Sequence, residues 1–338
     1  MSSREPRAAI LGCSGATLTR AERDFFRDAE PLGFILFQRN CDNPDQVRRL
    51  VAALREAIGR ADAPVLIDQE GGRVARLKPP HWPAYPAPAA IAALGGAAAK
   101  EAAWIGARLI ADDLAALGIT VDCVPVLDIP VPGADAVIGD RALGDGPAAV
   151  ATLGRAVCDG MLAGGVLPVI KHIPGHGRAT VDSHHALPRV DASRATLTTS
   201  DFAPFKALAD MPWAMTAHIV YGDIDAGAAA TLSRKVVTEV IRGAIGFDGV
   251  LVSDDLSMRA LGGSFADRAQ GALAAGCDLV LHCNGNMTEM SAVAGATARL
   301  TPAARQRLDR AEARRGTAQP IDRETLEARF NALMARAA

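Results

Sequence analysis

Four of the chain's seven histidines lie in one segment, KHIPGHGRATVDSHHALP, which covers residues 171–188. Zinc ligation requires three or four converging ligands, and His172 and His176 stand four residues apart, as in an HxxxH pair. A proline and a glycine between them exclude a helix, so these two side chains do not share a helical face. His218 and His282 lie further along the chain and could join them. A zinc-dependent hydrolase therefore stays open as one interpretation of this segment.

Asp182 and His184, two residues apart in the same segment, favour proton transfer instead. In an extended segment their side chains lie on the same side and can form a hydrogen bond. A carboxylate that binds an imidazole fixes its tautomer and raises its basicity, which would make His184 a competent general acid. The glycines nearby would allow the loop to move onto a substrate. Of the remaining two histidines, His176 and His185, we expect one to stabilise the loop and the other to be exposed.

Two adjacent carboxylates end the apolar run in LVSDDLSM. If the strand conformation continues, Asp254 and Asp255 point to opposite sides, because the side-chain period of a strand is two. One carboxylate can then face a pocket while the other caps a helix. We interpret Asp254 as a nucleophile or metal ligand, and Asp255 as the cap of a helix that begins near Leu256.

Two further charged groups stand in VLIDQEGGRVARL and VIGDRALGDGP. Asp68, at a strand end, could accept two hydrogen bonds from a vicinal diol. An ion pair with an arginine such as Arg76 that only fixes the loop is an equal alternative. Arg141 with Asp140 and Asp145 forms a charge cluster in a loop, and such clusters are usually exposed to solvent.

Short apolar runs alternate with amphipathic helical patterns along the chain, and runs of this kind fit strands buried on both faces of a parallel sheet. Eight strand–helix repeats predict the α/β class, as a (β/α)8 TIM-type barrel in a single domain over residues 1–338, with C-terminal helices from about residue 300. A doubly wound open sheet is the alternative, but no GxGxxG follows the first strand, so a dinucleotide-binding version is unsupported. The candidate strands are residues 8–15, 33–38, 63–69, 121–129, 166–173, 212–219, 248–256 and 277–283.

Polar groups follow seven of these eight strands, and in a barrel all carboxyl ends open on one face. A shared polar pocket at that face explains this pattern better than the ordinary polarity of loops does. The groups are Arg39 and Asn40, then Asp68, Gln69 and Glu70, then Asp128, Lys171, His172, His218, Asp254, Asp255, His282 and Asn284.

Composition restricts the class of protein. Hydrophobic residues make up 49% and charged residues 22% of the chain, which is typical of a globular protein. The net charge of −2 argues against a dedicated nucleic-acid binder. Six scattered cysteines without a CxxC pair fit reduced thiols. The N-terminal residues lack the apolar core of a signal peptide and no membrane span is evident, so we expect a cytoplasmic protein.

Three segments look like signature segments of the bacterial β-N-acetylglucosaminidases of glycoside hydrolase family 3, which are cytoplasmic enzymes of peptidoglycan recycling. The three are KHIPGHGRATVDSHHALP, VLIDQEGGRVARL and VLVSDDLSM. GFILFQRN, GDRALG and MTAHIVY are similar to further family segments, so the likeness runs from about residue 8 to 290. Ile173 departs from the Phe that the family often has, which is a conservative change.

The resemblance implies a retaining, two-step mechanism in a (β/α)8-like barrel without a metal or other cofactor. Asp254 matches the nucleophile, and His184, held by Asp182, matches the acid/base. Residues that match those contacting the sugar hydroxyls are Asp68, Arg76, Arg141, Lys171 and His172, and His218 is also expected to line the pocket.

The expected substrate is a small carbohydrate, a muropeptide-type fragment from which terminal N-acetylglucosamine is released. We expect no nucleic-acid or membrane partner, and a monomer or weak oligomer. Other β-glycosidases of the family, such as β-glucosidases and β-xylosidases, are an alternative, although they commonly take the acid/base from an extra domain for which this chain has no room. A non-catalytic sugar-binding barrel is a further alternative, against which the intact aspartates and His184 argue.

Overall fold

Eight parallel strands close into a barrel in the computed structural model, which describes residues 5–336. Around the barrel the order is β1-β8-β7-β6-β5-β4-β3-β2, so every strand pairs with its neighbours in sequence and β1 closes on β8. The predicted barrel is confirmed, and the open-sheet alternative is wrong. The strands are β1 (Arg7–Leu11), β2 (Pro31–Leu36), β3 (Val65–Ile67), β4 (Val121–Asp122), β5 (Leu167–Ile173), β6 (Trp213–Thr216), β7 (Val250–Asp255) and β8 (Leu279–His282).

Helices surround the barrel, and most begin at the capping residues that the sequence provides. Thr19 and Glu22 form a capping box at the first helix, and Ser264 and Asp267 form another further along the chain. The helices are α1 (Arg20–Ala29), α2 (Pro44–Ala57), α3 (Pro88–Ala92), α4 (Gly96–Ala115), α5 (Pro147–Ala163), α6 (Arg194–Thr199), α7 (Ala203–Ala207), a π-helix (Val236–Ala244), α8 (Phe265–Ala275), α9 (Met287–Ala296), α10 (Pro302–Arg315) and α11 (Arg323–Met334).

Alternate residues of most strands belong to two different cores, as the side-chain period of two predicts. Ile10 and Trp213 belong to the core inside the barrel, together with Leu308 of α10, which covers the end of the barrel opposite the carboxyl ends of the strands. Leu11 and Leu251 belong to the layer between strands and helices. Of the predicted C-terminal helices, α10 is therefore part of the barrel's packing, whereas α11 packs against α4 through Phe330 and Leu333.

The loop that carries the histidines is attached at both ends. It leaves β5, and at its far end Arg189 and Val190 pair in parallel with Val220 and Tyr221 after β6. Near its start, Gly177 passes so close to Ile129 that a Cβ there would lie 1.9 Å from the Ile129 carbonyl oxygen. Only glycine fits this approach.

The six cysteines are free and buried. Within residues 5–336, none of the helices combines the length and the hydropathy needed to span a membrane.

Candidate active site

A cavity of about 290 Å³ opens at the carboxyl ends of the strands. The side chains of Phe37, Met215 and Met258 form apolar parts of its wall. Of the catalytic and binding residues predicted from the sequence, eight line this cavity: Asp68, Arg76, Arg141, Lys171, His172, Asp182, His184 and Asp254. The ninth, His218, does not.

Two carboxylates, the buried Glu70 and the largely buried Asp68, hold the cations on one side of the cavity. Nζ of Lys171 lies 2.8 Å from Oδ1 of Asp68 and 2.7 Å from Oε1 of Glu70. Arg76 donates to Oδ2 of Asp68 at 3.2 Å. Arg141 forms a bidentate pair with Glu70, with both nitrogen–oxygen distances at 2.8 Å. Both alternatives for Asp68 therefore stay open, because it is ion-paired and also faces the cavity.

The ionisation of these groups follows from burial and pairing. Burial opposes the charge of Asp68, yet Lys171 and Arg76 outweigh it and hold the pKa of Asp68 well below its usual range. The same balance, with Lys171 and Arg141, lowers the pKa of Glu70 to about 2. Burial also opposes the charge of Lys171, but the two carboxylates raise its pKa above the ordinary value. All of these groups are charged at neutral pH.

Arg141 does not belong to the exposed charge cluster predicted around it. Its guanidinium is buried against Glu70, while Asp140 pairs with Arg73 at 2.8 Å. Gln69 fixes the loop between Asp68 and Arg76, because its Oε1 accepts from the backbone N–H of Arg76 at 2.8 Å. That contact brings the Arg76 side chain to Asp68.

Asp128 binds two histidines of the opening segment. Its Oδ2 lies 2.6 Å from Nδ1 of His172, and its Oδ1 accepts from the backbone N–H of His176 at 2.6 Å. Nδ1 of His172 is thereby engaged, which leaves its Nε2 as the ring nitrogen available to the cavity. Burial raises the pKa of Asp128, but the two histidines outweigh it and lower that pKa below its usual value.

His176 connects this buried cluster to the loop above it. Its Nε2 lies 3.1 Å from Oγ of Ser183, which is itself buried between Asp182 and His184. Burial, aided by His172, lowers the pKa of His176 to about 4, so its ring is neutral at neutral pH. His185 is exposed. The expectation that one of these two histidines stabilises the loop and the other is exposed is confirmed.

Asp182 and His184 are in contact, but not in an extended segment. Oδ1 of Asp182 accepts from the backbone N–H of His184 at 2.8 Å and lies 2.7 Å from its Nδ1. The carboxylate therefore closes a local side-chain turn and binds the imidazole with the same oxygen. Burial raises the pKa of Asp182, but the hydrogen bonds from His184 outweigh this effect and lower the pKa below its usual value. The His184 side chain is 60% exposed, so its Nε2 can reach a substrate.

Asp254 and Asp255 have different partners. Oδ1 of Asp254 accepts the backbone N–H of Asp255 at 2.8 Å, and its Oδ2 has no hydrogen-bond partner among residues 5–336. Burial raises the pKa of Asp254, but His218 and His172 outweigh it and lower that pKa below its usual value. Asp255 accepts from Ser257 N–H at 3.0 Å and Cys283 N–H at 3.1 Å.

The prediction that Asp255 caps a helix near Leu256 is wrong. The described structure has turns there, and the next helix, α8, begins at Phe265. Asp255 instead joins the turn after β7 to the end of β8, because Ser257 and Cys283 both donate to it.

His218 is buried beside Asp254 rather than exposed to the cavity, so the expectation that it lines the pocket is wrong. Its relative exposure is 0%, and both ring nitrogens have partners within the protein. Nδ1 lies 2.8 Å from Oγ1 of Thr231, and Nε2 lies 3.1 Å from the carbonyl oxygen of Asp255.

Polar residues after two of the strands also face away from the cavity. Arg39 donates to the carbonyl oxygens of Cys13 and Cys283, which joins neighbouring loops. His282 and Asn284 both bind Glu289 of α9. The shared pocket is thus built mainly by the ends of β3, β5 and β7 and by the loop after β4. No group of three or more His, Cys, Asp and Glu side chains in residues 5–336 is arranged to hold a metal ion.

From the sequence, Glu70 and Asp128 are predicted only as polar groups at strand ends, and Ser183 has no predicted role. Glu70 lies 71 residues before its partner Arg141, and Asp128 lies 44 residues before His172. The available signal was an acidic residue near the carboxyl end of a predicted strand in each case, which indicates a position but not a partner.

This chain resembles known proteins over most of its length. Residues 10–315 match the glycosyl hydrolase family 3 N terminal domain. A beta-hexosaminidase from Pseudomonas aeruginosa is 39% identical over 300 residues, which cover 88% of this chain and 88% of that protein. A beta-hexosaminidase from Alkalilimnicola ehrlichii is 39% identical over 286 residues, covering 81% of this chain and 80% of its relative.

A solved structure extends the likeness to the whole fold. NagZ from Neisseria gonorrhoeae in complex with N-trifluoroacetyl-D-glucosamine has a TM-score of 0.86 and 31% identity, over 100% of this chain and 98% of that one. The barrel and its polar cavity therefore define a TIM-barrel glycoside hydrolase. The chain belongs to glycosyl hydrolase family 3, and its curated relatives place it among the β-hexosaminidases of that family.

Proposed function

We propose that this chain is a retaining exo-β-N-acetylglucosaminidase that releases terminal N-acetylglucosamine from peptidoglycan-derived muropeptides in the cytoplasm. One observation carries the mechanism. Asp254 and His184 line the same cavity. Oδ2 of Asp254 has no hydrogen-bond partner among the described residues, and the imidazole of His184 is bound to Asp182. A nucleophile and a proton donor on one substrate site are what retaining hydrolysis requires.

In the first step, Oδ2 of Asp254 attacks the anomeric carbon. The lowered pKa of Asp254 keeps the carboxylate ionised, and the hydrogen bond from the backbone N–H of Asp255 to Oδ1 fixes the orientation of the carboxyl group. The bond from the anomeric carbon to the leaving oxygen breaks as the bond to Oδ2 forms, which gives a glycosyl ester on Asp254.

His184 carries the proton in both steps. Because Asp182 binds Nδ1, Nε2 is the ring atom that exchanges a proton with the substrate. Protonated Nε2 donates to the leaving oxygen in the first step. The same atom, now neutral, accepts a proton from water as the water cleaves the glycosyl ester. Retaining enzymes usually place two carboxyl groups about 5–5.5 Å apart, and that spacing does not apply to an imidazole donor.

Polar and charged side chains of the same cavity bind the sugar hydroxyls. Asp68 and Lys171 provide an acceptor and a donor that ion pairing already orients, and His172 presents Nε2 from its contact with Asp128. Arg76 and Arg141 complete this surface. Because these groups are fixed before the substrate arrives, little reorganisation accompanies binding.

Likeness to the curated bacterial beta-hexosaminidases supports the choice of an N-acetylhexosaminide. The test is hydrolysis of 4-nitrophenyl N-acetyl-β-glucosaminide, followed by release of N-acetylglucosamine from purified muropeptides. Asp254→Ala should abolish turnover of both substrates, and normal turnover by this variant would show that the mechanism is wrong.

Two controls separate the alternatives. The corresponding β-glucoside and β-xyloside should be turned over poorly, whereas faster turnover of either one would favour another family 3 glycosidase. A chelator should leave activity unchanged, and activity that is lost on chelation and restored by zinc would favour a zinc-dependent hydrolase.

A further inference from the structure

A series of hydrogen bonds next to Asp254 runs through the fully buried side chains of Thr216, Thr231 and His218. The backbone N–H of Asp254 lies 3.3 Å from Oγ1 of Thr216, which lies 2.7 Å from Oγ1 of Thr231. Thr231 lies 2.8 Å from Nδ1 of His218, and Nε2 of His218 lies 3.1 Å from the carbonyl oxygen of Asp255. The series therefore begins and ends on the backbone of the two adjacent aspartates.

The direction of each hydrogen bond follows from donor and acceptor chemistry. A carbonyl oxygen only accepts, so Nε2 of His218 carries the proton given to Asp255. Burial lowers the pKa of His218 despite the nearby Asp254, so at neutral pH the ring is uncharged and Nδ1 is an acceptor. Thr231 therefore donates to His218, Thr216 donates to Thr231, and the backbone N–H of Asp254 donates to Thr216.

A competing bond does not change this assignment. Oγ1 of Thr231 also lies 3.1 Å from the carbonyl oxygen of Ala217. The hydroxyl has a single proton, and giving it to Ala217 would leave the buried Nδ1 of His218 without a donor. An unsatisfied buried acceptor costs about 1–3 kcal/mol, so the proton on Thr231 is best placed toward His218.

We propose that Thr216, Thr231 and His218 are positioning residues that hold the backbone of Asp254 and Asp255 so that Oδ2 of Asp254 faces the anomeric carbon. The inference rests on the proposed role of Asp254 as nucleophile. None of the three side chains touches the cavity, so each acts through Asp254 and none contacts substrate.

The reason this position needs support lies in the strand itself. Asp254 and Asp255 are at the carboxyl end of β7, where β6 ends at Thr216 and no longer provides a strand partner. The register of these two strands ends at Met215 opposite Val252. The threonine hydroxyls and the imidazole replace the missing backbone pairing, and a displacement of about 1 Å at a reacting atom can cost about a hundredfold in rate.

The test uses Thr216→Val and Thr231→Val, which remove a hydroxyl at nearly constant shape. Thr216→Ser and Thr231→Ser keep the hydroxyl. Thr297→Val is the matched control. Thr297 is also buried, and as the C-cap of α9 it donates to the carbonyl oxygen of Val293 in that helix. Thr297 does not line the cavity. Measurements are kcat/KM on N-acetyl-β-glucosaminides with a good and a poor leaving group, and thermal stability.

Each valine variant at Thr216 and Thr231 should lower kcat/KM about tenfold or more, by the same factor for both leaving groups, because nucleophile alignment and not protonation is disturbed. The serine variants should return most of the activity. The double valine variant should be no worse than either single one, because the series acts as a unit. Thr297→Val should lose stability without losing activity.

Wild-type kcat/KM in Thr216→Val and Thr231→Val would overturn the inference, and so would a loss that Thr297→Val reproduces. Asp254→Asn separates this failure from that of the proposed function. An inactive Asp254→Asn with fully active valine variants refutes the positioning role alone, whereas an active Asp254→Asn refutes the nucleophile and the inference with it.

Discussion

Ser183 forms a hydrogen bond with His176, with 3.1 Å between Oγ of the serine and Nε2 of the imidazole. Ser183 lies between the two members of the acid/base pair, and the backbone of His176 is bound to Asp128, which also holds the sugar-facing His172. The surface proposed to bind sugar and the loop proposed to deliver the proton are therefore connected by a single buried series of contacts.

Ser183→Ala should impair proton delivery. Loss of one hydrogen bond is worth about 1 kcal/mol, or about fivefold in rate, and the loss should be largest for a poor leaving group, which depends most on the acid. The measurement is kcat/KM with phenyl and 4-nitrophenyl N-acetyl-β-glucosaminides. Ser291→Ala, on the exposed face of α9, is the control. An equal loss on both substrates would argue that Ser183 supports the fold and not the acid.

Asp182→Ala and His184→Ala should act as one unit. Each should lower kcat/KM by about a hundredfold or more on the poor leaving group, the usual contribution of general acid catalysis, and the double variant should resemble the single ones. The good leaving group should be affected far less in the first step. His81→Ala, an exposed histidine outside the cavity, should behave as wild type. Additive losses in the double variant would contradict a dyad.

His176 should make stability depend on pH. Its pKa is about 4 in the folded protein and about 6.5 when unfolded, so between these values the unfolded chain binds more protons. The free energy of unfolding therefore falls as pH drops from about 6.5 to 4, by about 3 kcal/mol for this group. His176→Gln keeps an N–H for Ser183 but does not titrate. The difference between wild type and variant, measured by urea unfolding, should shrink over this range, and a constant difference would contradict the assignment.

Lys171→Met should destabilise the protein. It leaves the buried carboxylate of Glu70 and the largely buried carboxylate of Asp68 with fewer cations, and breaking a buried ion pair from one side costs about 3–5 kcal/mol. Chemical denaturation measures the loss. Lys206→Met, near the exposed end of α7, should change stability by less than about 0.5 kcal/mol. A Lys171 variant as stable as this control would show that the buried network is not held by charge.

The barrel could be predicted from the sequence because alternation of apolar strands and amphipathic helices is a local pattern. All eight predicted segments overlap a barrel strand, although β1 and β2 begin one and two residues earlier than predicted and β4 is reduced to two residues. The rest of the predicted segment 121–129 still runs beside β5, since Leu127 N–H donates to the carbonyl oxygen of Lys171 at 2.7 Å.

The site was predictable only where partners are close in sequence. Asp182 and His184 are two residues apart, so their contact could be foreseen, although the turn that forms it could not. Arg141 was misplaced in an exposed cluster because its partner, Glu70, is distant in the chain. His218 was expected in the cavity because its position at a strand end does not reveal that Thr231 and Asp255 occupy both ring nitrogens.

The most direct test of the account is to trap the glycosyl ester. In His184→Ala, a good leaving group should still depart, but no base activates the water, so the intermediate should accumulate with 4-nitrophenyl N-acetyl-β-glucosaminide. Mass spectrometry of the quenched protein should show the mass of one N-acetylglucosaminyl group, mapped by peptide fragmentation to Asp254. Label on any other residue, or continuous product release without label, would contradict the claim that Asp254 is the nucleophile.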